Sequence, residues 1–398
     1  MSDVQLMKQV GAVLSISLRG IPKRLGACLV IVIGIAGAVA VFISVFAMSS
    51  SFTETASKSG RADRVIVLAE GATTEGASSH QRADVNEILA SQAIKRDSDG
   101  KAIATADYLA FARLTDERTG VDTFATLRGT GPKALLLRPE IEIVQGRMFE
   151  AGVRELIVGP ALQRRLNGLG LNDRVPLPEG DWTVVGVFES GADARESELL
   201  TDAETLLSAY QRNEFNSVTV MLDDASAFDA FRSSLQINPA LSVQAKRERD
   251  YLLDASAPTT RLLELIAVVI GGIMALGAII AAVNAMYSAI STRSMEIAIL
   301  RAVGYDGAPV AISVLIEALL FALAGAALGA AIAWLFFNGN TISTQTAMGP
   351  GPMSYMLSIN ATVVLLGIGC GCTAGFIGGI LPAMRATTAP VTAALRGT

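Results

Sequence analysis

Residues 25–48 read LGACLVIVIGIAGAVAVFISVFAM, a run of 24 positions without one charged side chain. At about 1.5 Å of helical rise per residue, such a run crosses the roughly 30 Å hydrocarbon core of a bilayer. Ala47 and Ser49 have the spacing of a signal-peptide cleavage site, but the run exceeds the roughly 7–15 residues of a secretory hydrophobic region. Blocks of the same kind recur at 265–290, 308–337 and 357–384. The chain therefore reads as a membrane α-helical protein with four transmembrane helices and a large α+β extracytoplasmic domain between the first and second. Its composition agrees: the 398 residues are 51% hydrophobic and 17% charged, against roughly 25% charged in soluble proteins.

Charge divides the chain in two. Residues 51–258 hold 23 Lys and Arg against 32 Asp and Glu, a net −9, while the remainder carries 9 against 5, a net +4. An acidic outer segment on a mildly basic membrane part excludes nucleic acid as a partner and leaves the lipid bilayer. Lys8, Arg19, Lys23 and Arg24 precede the first block, Arg293 and Arg301 lie between the second and third, and Arg385 and Arg396 follow the fourth. The stretch 338–355 has no Lys or Arg, so the positive-inside rule puts it outside and both termini in the cytoplasm. The expected segments are a cytoplasmic N-terminal segment 1–24, spans at 25–50, 259–290, 308–337 and 357–384, and an outer domain 51–258. A cytoplasmic helix and turn 291–307, a short outer loop 338–356 and a cytoplasmic tail 385–398 complete them.

Within the outer segment, β-branched and aromatic runs predict strands at 64–68, 108–114, 121–127, 155–158 and 182–188. Helical spacing predicts helices at 84–94, 160–166, 203–210 and 225–235. Residues 146–188 read as a compact β-rich unit inserted in a less regular surround. Residues 255–260 read as a linker that Pro258 breaks. The three cysteines, Cys28, Cys370 and Cys372, all fall in apolar blocks, so the outer segment has no disulfide.

Chemistry-bearing motifs are scarce. The one histidine, His80, sits among Ser78, Ser79 and Gln81 and reads as a surface-loop residue, which leaves no zinc site. No GxxxxGK[ST] loop is present, so any ATP and Mg are expected on a partner, with no cofactor bound by this chain. Gly369, Gly371 and Ala374 match a dinucleotide pattern, but inside an apolar span. Steric reasoning accounts better for Gly367, Gly371, Gly375 and Gly379, which repeat every four residues, and for Gly325 and Gly329: such grooves let membrane helices approach closely. Glu317, a carboxylate within the third block, is expected to pair with a basic residue, because an intramembrane charge costs at least about 3 kcal/mol. Asn284 is expected to hydrogen-bond between helices. From 291 to 305, Met295, Ile299 and Ala302 share one helical face, Arg293, Glu296 and Arg301 lie on others, and Gly304 fits the terminating position.

These residues carry a family resemblance. Asn284-Ala285-Met286, Arg293, Glu296-Ile297, Leu300-Arg301-Ala302, Gly304 and Glu317-Ala318 resemble, in identity and spacing, the stretch joining the second and third spans of FtsX-like and MacB-like permease subunits of type VII, or mechanotransmission, ABC transporters. The tail, from Leu381-Pro382-Ala383 to Leu395-Arg396, is similar to that family's closing motif, and Gly146-Arg147, Ile157-Val158-Gly159 and Val184-Val185-Gly186-Val187 resemble its periplasmic core domain. The resemblance implies a bacterial inner-membrane permease without ATPase activity of its own. A second permease chain, as homodimer or heterodimer, two copies of an ABC ATPase subunit, and an adaptor or membrane fusion protein with an outer-membrane channel would accompany it. Arg293, Met295, Glu296, Ile297, Leu300, Arg301 and Gly304 would couple to the ATPase. The implied activity is efflux or extrusion from the periplasmic side; lipoprotein release of the Lol type, or FtsX-like regulation of a cell-wall hydrolase, are the alternatives.

Overall fold

The computed structural model describes residues 3–388 apart from 21, 23–24, 116–119, 121, 178–179, 192, 239–240, 293, 304 and 347–348. The chain forms two compact units: Met1–Ser49, Leu262–Gly339 and Ser358–Thr398 make one, Ser50–Arg261 and Asn340–Leu357 the other.

Along the chain, α1 (Asp3–Arg19) and α2 (Leu25–Ser59) come first. The second unit follows with β1 (Arg64–Ala69), α3 (Arg82–Leu89), β2 (Ala104–Thr115), β3 (Asp122–Thr130), α4 (Ala134–Leu137), β4 (Glu142–Gly146), β5 (Glu155–Val158), α5 (Pro160–Arg165), β6 (Arg174–Leu177) and β7 (Gly180–Glu189). Then come β8 (Glu198–Asp202), α6 (Ala203–Ala209), β9 (Ser217–Met221), α7 (Phe228–Ile237) and β10 (Val243–Arg247). Helices α8 (Glu248–Ser291), α9 (Ser294–Ala302) and α10 (Gly307–Phe337) precede a hairpin of β11 (Thr341–Thr346) and β12 (Gly349–Met356), and α11 (Ala361–Thr388) ends the described chain.

Among the described residues, ten strands form one sheet in the order β10-β1-β9-β2-β3-β8-β5-β7-β4, with β6 beside β7. Strand β2 is the bridge: Ala104–Asp107 pair with β9 and Tyr108–Thr115 with β3. Its even-numbered side chains face two apolar cores in turn, one with Ala104 and Ala106 beside Val65, Val67 and Phe231, the other with Ala110, Ala112 and Leu114 around Trp182 and Leu206. The β-rich stretch 146–188 is thus one end of a continuous sheet rather than an inserted unit, because β5 pairs with β8 at Ile157 and Val158. The supposed loop 338–356 is the β11–β12 hairpin of the second unit. Tyr355 is buried edge-on against Phe52, and the Ser354 amide donates to the Ser197 hydroxyl. Nor does Pro258 break anything: it lies inside α8 on an exposed face, where the carbonyl its ring deprives of a partner can reach solvent.

In the first unit the small residues seat the helices. A Cβ on Gly371 would stand 2.9 Å from Ala326, one on Gly379 2.8 Å from Ala318, and one on Gly375 would strike Ala322, so α10 and α11 run antiparallel along these glycines. Gly325 and Gly329 turn to α2 instead, facing the carbonyls of Val32 and Ala36, and Gly367 faces Ile43.

Candidate functional site

Two places concentrate features that packing alone does not require. The first is α9. Ile297 and Ala298 are buried, while Met295, Glu296, Ile299, Ala302 and Val303 are exposed, giving a short helix with an apolar stripe on its outer side. It is tied to the end of α11 by Arg301, whose Nη1 donates to the Thr387 carbonyl at 3.0 Å. At the start of α10, a Cβ on Gly307 would lie 3.3 Å from Thr387, so that turn is seated on the same residue. Arg293 and Gly304 lie outside the described residues, as does the side chain of Leu300.

Glu317 of α10 is buried and accepts a hydrogen bond of 2.6 Å from the Ser17 hydroxyl of α1. Asn284 departs from expectation. It is exposed, and no hydrogen bond of its side chain is found among the described residues, because α8 packs through Ala278, Ala282, Ala285 and Met286 and turns Asn284 away from that face.

The second place is a buried charge cluster in the outer unit. Glu248, the first residue of α8, meets Arg64 Nε of β1 at 2.5 Å, Arg138 at 2.6 Å and Arg195 at 3.8 Å. Arg128 of β3 meets Glu75 at 2.7 Å, Glu198 at 2.8 Å and Asp107 at 3.4 Å, and Arg195 pairs with Glu198 at 3.5 Å to join the two halves. Arg64, Arg128, Glu248 and Asp107 are each at most 4% exposed. Asp107 and Arg128 sit on the sheet face opposite the apolar cores, and Thr130 completes that face by donating to Asp107 at 2.8 Å. Burial works against every charge here. It pulls the Arg195 guanidinium down, helped by Arg138 and Arg128; against the same cost, Arg128 and Arg195 still hold the Glu198 carboxyl below its usual range. Beside the cluster, Asp193 yields to burial as Arg195 does: its carboxyl is pushed up to about 6, although the Ser190 hydroxyl and Arg195 amide donate to it.

Sequence reasoning missed this cluster, whose members are scattered from Arg64 to Glu248. The one local signal was a charge in mid-strand, at Asp107 and Arg128. His80 is also corrected: it is buried, not in a surface loop, because its amide and carbonyl bridge to Phe215, and its Nε2 lies 3.2 Å from the Val67 carbonyl.

Two family models match the chain in tandem. The MacB-like periplasmic core domain covers residues 25–237, more than half of the chain, and the FtsX-like permease C-terminal domain covers 268–391. The chain belongs to the MacB/FtsX-like family of ABC transporter permeases. Solved structures similar to it include the extracellular domain of the ABC-type transporter YknZ from Gram-positive bacteria, at 18% identity over 46% of this chain and 99% of that one, TM-score 0.36. Another is the periplasmic region of MacB from Actinobacillus actinomycetemcomitans, at 14% identity over 47% and 90%, TM-score 0.37. No curated protein matches at the same stringency. As a MacB/FtsX-like permease, the chain is a membrane protein with an extracellular α+β domain and, among the described residues, four helices long and apolar enough to cross a membrane, and its family implies an ABC ATPase partner.

Proposed function

We propose that this MacB/FtsX-like permease transmits ATP-driven motion from a separate ATPase subunit to its outer domain, and thereby drives extrusion of a substrate from the periplasmic side of a bacterial inner membrane. The observation that carries the reading is α9: an apolar stripe of Met295 and Ile299 faces outward while the opposite face is buried and Arg301 fixes the helix to α11. A helix presented in this way suits docking in a groove of a partner. In this scheme both termini and α9 are cytoplasmic, two ATPase copies hold ATP and Mg, and two permease chains pair. An adaptor and an outer-membrane channel would complete the path. At the far end of α8, the cluster around Glu248 would pass helix displacement to the sheet.

The test is co-purification of the tagged chain from native membranes, followed by ATPase assays. Ile299→Asp and Glu296→Arg are expected to leave membrane insertion intact while abolishing ATPase binding or its coupling to transport. Normal coupled rates in both variants would remove α9 from the mechanism.

A further inference from the structure

Near the middle of the apolar unit, α2, α8 and α11 leave a cavity of about 230 Å³ between them. Ile35, Val39 and Phe42 line it from α2, Gly272 and Ala275 from α8, and Cys370 from α11. The remaining lining residues are Ala, Val and Gly, so no hydrogen-bonding side chain other than the thiol reaches it. It is not sealed: Val268, Gly272 and Cys370 are exposed at its mouth.

Depth and size decide the occupant. The lining positions 35–42 and 370–374 are central in the apolar runs 25–48 and 357–384, so the cavity lies near the bilayer midplane, roughly 15 Å from either headgroup region. Water finds no partners in such a place; apolar cavities of roughly 150 Å³ stay dry and take up benzene. Scaled from the six carbons of benzene, the volume accommodates about nine carbons of hydrocarbon. A helix with its side chains, about 10–12 Å across, does not fit, so a second copy of the chain could cover the mouth without filling the space. The sequence also keeps the space open. An added Cβ at Gly271 would lie 3.0 Å from Phe42, so this glycine lets α8 approach α2, whereas at Gly272 there is nothing within 4 Å of where a Cβ would stand.

We propose that this cavity binds one acyl chain of a bilayer phospholipid, which enters sideways from the membrane and wedges between α2, α8 and α11. The proposal does not depend on the transport reading.

The experiment reconstitutes the full chain in phosphatidylcholine vesicles containing a trace of the same lipid with a diazirine at mid-chain, illuminates them, and maps adducts by mass spectrometry. Adducts are expected to concentrate on Phe42, Val268 and Cys370, and to fall several-fold in Gly272→Leu and Ala275→Leu while those on Leu323 and Phe376, exposed at similar depth, persist. The wild-type map alone decides if a filled variant fails to fold. Equal adduct density on lining and exposed residues would overturn the proposal, as would lining adducts that survive in both filled variants. A Cys370 disulfide between two copies that abolishes the lining adducts would also overturn it, by making the cavity part of a protein interface.

Discussion

Asp193 meets two opposing demands. Its carboxylate accepts the Arg195 amide at 2.9 Å at the head of a short helical turn, yet burial favours its neutral form and pushes it up to about 6 from an ordinary 3.8. The folded state therefore holds this proton at pH values where the unfolded chain has released it. The associated stability is complete below about pH 4 and is lost as pH rises through 6, amounting to about 3 kcal/mol at most. Thermal unfolding of the full chain between pH 4 and 7 should show Asp193→Asn gaining on wild type as pH rises; parallel curves would refute the assignment. At this scale the sequence was hardest to read. Polar neighbours made His80 look exposed, and only its pairing with distant Phe215 buries it.

Elements were more legible, because periodicity is a property of neighbours. Alternation and 3.6-residue spacing located β1, β2, β3, β5, β7, α3, α5, α6 and α7, but not the short strands β4, β6, β8, β9 and β10, whose four or five residues carry too little periodicity; the four-residue glycine repeat pointed to a packing face. That face is specific. Gly329→Ala places a methyl against the Ala36 carbonyl, whereas Gly369→Ala meets nothing within 4 Å. The first substitution should lower thermal stability by about 1–3 kcal/mol through overpacking, and the second should leave it unchanged or raised, since alanine favours helix. Equal effects in a detergent melting assay would mean that the glycines are not seated as described. Pro258 shows the limit of local rules: proline ordinarily interrupts a helix, but in α8 its exposed position removes most of the cost.

At the scale of the molecule, the division into apolar helices and an acidic outer domain followed from composition alone, whereas the charge cluster that gathers Arg64, Arg138 and Arg195 around Glu248 did not. Eight ionic residues from four strands, three turns and the start of α8 meet there, and nothing in their spacing announces it. Buried ion pairs contribute little beyond a well-packed apolar core, but breaking one leaves its partners stranded. Glu248→Gln is expected to destabilise the outer unit by about 3–5 kcal/mol, read as a fall in its melting temperature, and a shift of less than about 1 kcal/mol would show that the three arginines find other partners.

The hairpin 340–357 has a consequence for biosynthesis. The outer unit is built from two stretches of chain separated by α9, α10 and most of α8. When the ribosome has finished residue 261, the ten-stranded sheet is complete, yet Phe52 still lacks the Tyr355 ring and Ser197 the amide of Ser354. Those partners do not exist until the third apolar helix has been made, so the last step in maturing the outer unit waits on translation and insertion of the helices that follow it.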